Sequence, residues 1–413
     1  MNILFVHQNF PGQYRHIVRA LATQGGHTLI ALGIQSLSEP IPKSMRYLRY
    51  PLRRGNTPGG PELVLETEAK VIRAEACARA AHELKRRENF TPDLICGHPG
   101  WGELLFLGDV WPNAPILSYQ EFYYQPFGFD YDFDPELQES LSWFDCAKAR
   151  MKNASILLSL QASRWNVTPT AFQQSTFPAN WQNRISVIHD GIDTGQACPD
   201  PAVPPLPLPD GTVLQRGQPI VTFVNRRLEP YRGCHTFIRA IPELQRLHPD
   251  ANVVIVGFTE GVSYGKTCPT GSWKDIFLAE IEGHYDPAKV HFTGSLDYPL
   301  FLQLLRLSAV HVYLTYPFVL SWSLLEAMSS GCAVIGSDTA PVREVIEHGR
   351  TGLLVDFFKP LDLAVAIAEL LQNRAQAEAL GHAARSHVVP RYSLEHCVPR
   401  QLALMQLVAS GAL

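Results

Sequence analysis

Short unbroken apolar runs alternate with amphipathic stretches along most of the chain. Ile3-Leu4-Phe5-Val6 is followed by Phe10-Pro11-Gly12 and then by a helical pattern from Tyr14 to Leu21. The same order returns later, with Ile220 to Val224, then Leu228 to Gly233, then a helical pattern from Thr236 to Leu247. Apolar runs that do not alternate with polar residues are what parallel strands need when both faces are covered. Strand, loop and helix in that order form the opening unit of a doubly wound domain. Further runs predict strands at Asp93 to Cys96, Pro115 to Ser118, Ser155 to Ser159 and Ile185 to Ile188 in the first half. In the second half they predict strands at Asn252 to Val256, Val290 to Phe292, Val310 to Leu314 and Ala333 to Ser337. Helical spacing marks Pro299 to Leu307, Leu361 to Leu371 and a last apolar helix from about Leu394 to Val408.

The expected fold class is therefore α/β with two Rossmann-like domains, each on a parallel sheet. A chain of 413 residues is long enough for two cores of roughly 200 residues each. Pro199 to Pro209 holds six prolines in eleven residues, which excludes helix and central strand. The expected division is a first domain over 1–195, a linker over 196–215, a second domain over 216–390 and a terminal helix over 391–413 that packs back on the first domain.

Composition narrows the class. Apolar residues are 46%, charged residues 18%, and the formal net charge is -4, which is the make-up of a globular protein without the basic surplus of a nucleic-acid binder. The eight cysteines contain no C-x-x-C pair and several lie in apolar runs, as in Leu94-Ile95-Cys96. They read as reduced thiols and not as a disulfide framework or a zinc site. Met1 to Val6 lacks a basic flank and a cleavage signal, and no run reaches the roughly 18 apolar residues of a membrane span. A cytoplasmic protein without metal or cofactor is expected, with peripheral membrane contact left open.

Two blocks carry candidate chemistry. Val221 to Gly233 reads V-T-F-V-N-R-R-L-E-P-Y-R-G, so Arg226, Arg227 and Arg232 follow a strand. Open α/β sheets bind ligands at strand C-termini, and the guanidinium fork suits a diphosphate. Tyr313 to Gly331 reads Y-L-T-Y-P-F-V-L-S-W-S-L-L-E-A-M-S-S-G. It predicts a helix starting near Ser321 or Ser323, with N–H groups of Ser321, Trp322, Ser323 and Leu324 available to phosphate. Glu326 is placed in its first turn, as a ribose ligand or as the second half of a capping box with Ser323. In the first half, His98 follows a strand in D-L-I-C-G-H-P-G-W-G-E, and Gly12 opens the first strand–helix turn, where a missing side chain admits a ligand or a backbone.

Together these motifs resemble the retaining glycosyltransferases of family 4. The order is R-x-x-x-x-R-G, then V-x-F-x-G at Val290 to Gly294, then L-L-E-A-M-x-x-G. Val187 to Asp193 and Gly349 to Val355 add to it, so that 185–375 is covered well and the first half more loosely. The resemblance implies a GT-B fold of two facing domains with the active site in the cleft between them. It also implies a nucleotide-sugar donor and a glycan, lipid or small-molecule acceptor, with metal-independent transfer and retention. Carried over, Arg232 with Arg227 or Arg226 neutralises the leaving diphosphate, Glu326 holds the ribose, and His98 contacts the sugar. Where the family has the first glutamate of E-x7-E this chain has Phe318, which puts the sugar contact in question. The Phe318 to Ser323 loop is left to meet the sugar through backbone amides.

Two readings compete. A sugar-nucleotide epimerase of the same fold needs cleft carboxylates such as Glu103 and Glu121, and a nucleotide-sugar-binding protein without catalysis is compatible with Phe318. An NAD-dependent oxidoreductase is disfavoured, because neither half has G-x-G-x-x-G after its first strand. Glu121 to Tyr124 and Asp130 to Asp134 mix carboxylates with rings, as an acceptor platform or a packed polar loop. Lys43, Arg46, Arg49, Arg53 and Arg54 form a basic run that reads as a solvated loop or a contact for an anionic surface.

Overall fold

Continuous apolar runs become parallel strands because each strand must bury both faces. In β1 (Asn2–Val6), Ile3 and Phe5 join one apolar cluster while Leu4 and Val6 join another. This is the two-sided burial that the unbroken run predicts. The computed structural model describes residues 1–137 and 140–413, and the chain divides into a unit of Met1–Gly191 with Leu394–Leu413 and a unit of Ile192–Ser393.

The first unit continues with β2 (Thr28–Gly33), β3 (Met45–Arg49), β4 (Leu94–Gly97), β5 (Ile116–Tyr119), β6 (Trp165–Thr168) and β7 (Ile185–Val187). They form one parallel sheet in the order β3-β2-β1-β4-β5-β6-β7. The order reverses between β1 and β4, so the loops after these two strands diverge to opposite sides and leave a crevice at the strand C-termini. The terminal helix Leu394–Ala409 buries Leu404, Met405 and Val408 in the same cluster as Ile3 and Phe5.

The second unit opens with a small antiparallel pair, β8 (Leu206–Pro207) and β9 (Val213–Leu214). The proline-rich stretch is thus no loose connector: Val203, Leu206 and Leu208 are buried against Ile220, Val254 and Leu304 of the second unit. Six parallel strands follow: β10 (Ile220–Arg227), β11 (Asn252–Phe258), β12 (Val290–Gly294), β13 (Val310–Tyr313), β14 (Ala333–Ser337) and β15 (Leu353–Val355). Their order is β12-β11-β10-β13-β14-β15, which repeats the reversal at β10 and β13. A register shift between Val224 and Arg227 on β10 inserts an extra residue where the strand meets the loop that follows it.

One predicted strand is a helix. Ser155 to Ser159 lies in the helix Ala154–Ala162, where Ser155, Ile156, Ser159 and Leu160 face inward and Leu157 and Leu158 are exposed. The strand that fills its place is β6, whose polar Asn166 is buried and bonded to Gln120 (3.0 Å). Among the described residues, no helix is long and apolar enough to cross a membrane.

Candidate functional site

In the second unit the polar residues gather beyond β10 and β13, at the switch point. Arg226 and Arg227 are not loop residues; they end β10. Arg226 is exposed, and Arg227 donates to the Glu260 carbonyl and lies over the Phe258 ring at 5.6 Å. Arg232 ends the short turn Pro230–Arg232, and Gly233 follows in the left-handed region with φ 70°. A side chain at 233 would meet Leu314 at 2.4 Å, so only glycine lets the chain pass here into the helix Cys234–Leu247.

Arg232 is only 8% exposed. One terminal nitrogen donates to Thr315 Oγ1 (2.8 Å), the Val319 carbonyl (3.0 Å) and Tyr313 Oη (3.3 Å). Tyr264 and Phe318 flank the guanidinium at 5.4 and 6.0 Å from their ring centres. All three acceptors are neutral, and among the described residues no carboxylate forms an ion pair with Arg232. Its Nε–H and second terminal nitrogen remain for a ligand. Buried Glu229 feels the Arg232 charge but makes no salt bridge with it, and a guanidinium taken out of water without a direct counter-ion is costly.

Around it, Phe318 is buried and packs on Tyr231 (5.5 Å, edge on) and Tyr264 (4.9 Å), while Tyr231 also meets Tyr316 at 4.6 Å. The position that carries a glutamate in the resembled family is here part of an aromatic wall. The segment with Tyr264 is pinned by buried Glu229, whose carboxylate accepts the N–H groups of Ser263 and Tyr264. Burial raises the Glu229 carboxyl above its ordinary range against the pull of those two donors.

The helix Trp322–Ser329 corrects two expectations. Its cap is Ser321, whose hydroxyl accepts the Ser323 N–H at 3.3 Å. Glu326 is therefore the fifth helical residue, beyond the first turn, and the Ser323–Glu326 capping box does not form. Instead Tyr298 Oη donates to Glu326 Oε1 at 2.9 Å, which orients a half-buried carboxylate. The amides expected to bind ligand are also engaged: Ser321 N–H donates to Tyr313 Oη (2.8 Å), Phe318 N–H to the Tyr316 carbonyl (2.7 Å) and Leu324 N–H to the Ser321 carbonyl (3.3 Å). The Leu324 side chain is in the core. Trp322 and Ser323 remain half-buried beside them.

The first unit has its own cluster at the β1/β4 switch point. His98 directly follows β4; its Nδ1 accepts the Gly100 N–H at 3.1 Å, so the neutral ring carries its proton on Nε2. The ring lies between Trp101 (4.5 Å) and Tyr119 (5.6 Å), and Nε2 is 3.7 Å from the Glu121 carboxylate. His98 is 3% exposed with Nε2 enclosed, whereas the Glu121 side chain is 36% exposed. Glu121 is thus the member of the pair that reaches solvent. His7, directly after β1, sits 5.6 Å from His98 and bonds to Gln13 at 2.7 Å. Burial, and then the neighbouring His98, push its pKa down to about 3. Gly12 has φ 48°, and a side chain there would strike the His7 ring at 2.4 Å; its bareness serves His7.

His7, Trp101, Tyr298, Glu229 and Tyr264 were not candidates from sequence. His7 had a signal, being the first residue past an apolar strand; Tyr264 lies in a loop with no recognisable pattern. Glu103 is fully buried, 3.4 Å from Tyr50 Oη, and burial pushes its pKa up to about 7; it is not placed as a surface acid or base. The basic run includes β3, with Arg46 paired to Glu88 and Arg54 to Glu68. Asp132 accepts the Gly128 N–H, and Lys152 lies over Tyr124 and Tyr131, so the Asp130 to Asp134 segment is a packed polar loop. Among the described residues no cluster of three or more His, Cys, Asp or Glu is placed to hold a metal.

Two parallel Rossmann-like sheets, each with polar residues gathered at its switch point, define the chain as an α/β protein of the GT-B fold. Family profiles agree unit by unit: one described as glycosyl transferase family 4 group matches residues 25–197, and one described as glycosyl transferases group 1 matches residues 209–387. The chain belongs to the family-4, group 1 glycosyltransferases. It is similar to sucrose-phosphate synthase of Thermosynechococcus elongatus (TM-score 0.74, 16% identity, 100% of both chains). It is also similar to Anabaena HepE, solved with UDP (TM-score 0.67, 15% identity, 98% of this chain and 100% of that one). A GDP-mannose-dependent alpha-(1-6)-phosphatidylinositol monomannoside mannosyltransferase of Mycobacterium tuberculosis is 31% identical over 218 residues, 50% of this chain and 52% of that protein. The matches span about half the length of the curated relatives.

Proposed function

We propose that this protein transfers a glycosyl group from a nucleotide-sugar donor to an acceptor hydroxyl, without a metal and with retention of anomeric configuration. The observation that carries the reading is Arg232, a nearly buried guanidinium that forms no salt bridge among the described residues, feels the charge of buried Glu229 only at longer range, and has part of its fork unused. As the anomeric C–O bond breaks, negative charge grows on the leaving diphosphate, and a preorganised cation there lowers the barrier. Removal of one such donor costs on the order of 100- to 1000-fold in rate. Arg226, whose side chain is exposed, and Arg227 supply further charge at the same strand end. Glu326, held by Tyr298, accepts ribose hydroxyls. Phe318 and its aromatic neighbours give the sugar an apolar wall in place of a carboxylate. The departing phosphate takes the proton of the acceptor hydroxyl attacking on the same face. Glu121, beside His98, offers the first unit's contact for a sugar hydroxyl.

A GDP-mannose-dependent mycobacterial relative and a structural neighbour solved with UDP support a nucleotide-sugar donor. A thermal-shift panel over sugar nucleotides tests this, because a ligand bound only to the folded state raises the melting temperature by mass action. One or a few donors should stabilise the protein and be turned over. His98→Ala and Glu121→Gln should then lower turnover while nucleoside diphosphate affinity holds. No stabilisation by any sugar nucleotide, or full turnover in both variants, overturns the reading.

A further inference from the structure

A second cavity, of about 510 Å³, lies in the second unit at the opposite edge of its sheet. Its walls come from segments that precede strands: Gly217 to Pro219 before β10, Ser308 and Ala309 before β13, and Ser330 to Gly331 before β14. The eight residues of β10 separate this edge from Arg232 by about 26 Å at roughly 3.3 Å per residue. It is therefore distinct from the proposed donor site.

Four guanidiniums line it: Arg216, Arg306, Arg374 and Arg385. Among the described residues none of them is ion-paired. Arg306 donates to the carbonyls of Cys198 (3.0 Å) and Gln196 (2.6 Å). Arg385 donates to the carbonyls of Ala197 (3.1 Å) and Thr194 (3.3 Å) and to Ser329. Arg374 reaches the Gly217 carbonyl. Those acceptors fix where the forks point but cancel no charge. Arg216 is exposed and, among the described residues, its side chain makes no hydrogen bond. His382 stands with them. Ser330, 5% exposed, lines the same cavity, and among the described residues its hydroxyl has no hydrogen-bond partner. Two carboxylates, Asp200 and Glu378, also line it, which leaves a formal surplus of two positive charges before His382 is counted.

Four guanidiniums that form no salt bridge among the described residues, converging with a formal surplus of two positive charges on a concave site of this size, are the chemistry of anion recognition, and planar forks select phosphate oxygens. We infer that this cavity is a second ligand site, for a phosphorylated small molecule, whose phosphate meets the arginines and whose hydroxyl-bearing body fills the remaining volume beside Asp200 and Glu378. Arg385 also holds Ser329, at the end of the helix that carries Glu326, so an occupant of the cavity touches the framework of the donor site.

Inorganic diphosphate is the probe, titrated calorimetrically into the full chain. Arg232→Ala disables the donor site and should leave one diphosphate-binding event per chain. Arg216→Glu with Arg374→Glu, exposed residues that brace no buried segment, should weaken that event at least tenfold. Arg216→Gln should weaken it less and serves if the double variant fails to fold. Loss of all diphosphate binding in Arg232→Ala overturns the second site, as does an unchanged affinity when Arg216 and Arg374 are reversed in charge. The two sites fail separately: a donor site without this one loses all binding on Arg232→Ala, and this site without a donor site loses none.

Discussion

Replacing Arg232 tests the proposed chemistry most directly. Its guanidinium spends one terminal nitrogen on Thr315, Val319 and Tyr313 and keeps Nε–H and the second terminal nitrogen. Those two groups form one edge of the fork, which matches a pair of phosphate oxygens. Hydrogen bonds to a charged partner contribute about 1.5–3 kcal/mol each. Two of them give about 3–6 kcal/mol, and each 1.4 kcal/mol is about tenfold in affinity. Arg232→Ala should therefore weaken nucleoside diphosphate binding by at least about 100-fold. Arg232→Lys keeps the charge but loses the fork, and should fall between the two. Calorimetry with UDP and GDP measures both variants, with circular dichroism confirming that each is folded. A loss under about threefold in Arg232→Ala, in a folded protein whose parent binds the nucleotide, would refute the reasoning: the buried cation would then be a structural brace for the Thr315 to Val319 loop.

Glu326→Gln should bind the nucleoside diphosphate at least about tenfold more weakly with an unchanged melting temperature, because Glu326 closes no helix cap; normal affinity with a lowered melting temperature would assign it to the fold alone. Acid should destabilise the protein from pH 6.5 downward. Burial holds His7 at about 3, His189 at about 4 and His311 at about 3, below their value of about 6.5 in the unfolded chain. The unfolded state therefore binds more protons in that window, and stability is lost as pH falls. Glu103, at about 7, works the other way between its ordinary 4.5 and 7, since its folded form holds the proton. Three histidines against one carboxyl leave a net uptake of roughly two protons near pH 5.5, about 2–3 kcal/mol per pH unit. A melting temperature that is flat or rising between pH 6.5 and 5 would contradict this.

Most of the sheet architecture was legible because buried parallel strands announce themselves as unbroken apolar runs. Ser155 to Ser159 misled for a definite reason. Its serines face the interior and its central leucines face out, so the apolar run marks the exposed side of a helix, and a short run cannot separate helix from strand. β6 was invisible because Asn166 is a polar residue kept inside by Gln120. Among the candidate residues, the positions of Arg232, Gly233 and His98 past strand ends were legible in the sequence. Two features were not: that Glu326 is oriented by Tyr298, 28 residues away, and that His98 Nε2 stands 3.7 Å from the half-exposed Glu121 carboxylate. Both depend on contacts between elements far apart in sequence. The cap fell on Ser321 where Ser323 was equally plausible, and two residues of shift moved Glu326 out of the first turn.

The terminal helix gives the first unit an unusual history during synthesis. Its core is not made by one continuous stretch of chain, since Leu404, Met405 and Val408 complete the cluster begun by Ile3 and Phe5. The second unit, Ile192–Ser393, is continuous. As the chain leaves the ribosome, the unit made first waits for about two hundred further residues, on the order of ten to forty seconds at about 5–20 residues per second. During that wait the apolar surface around Ile17 and Leu21 lacks its covering helix. The unit made second can close as soon as Ser393 emerges, so the order of completion reverses the order of translation.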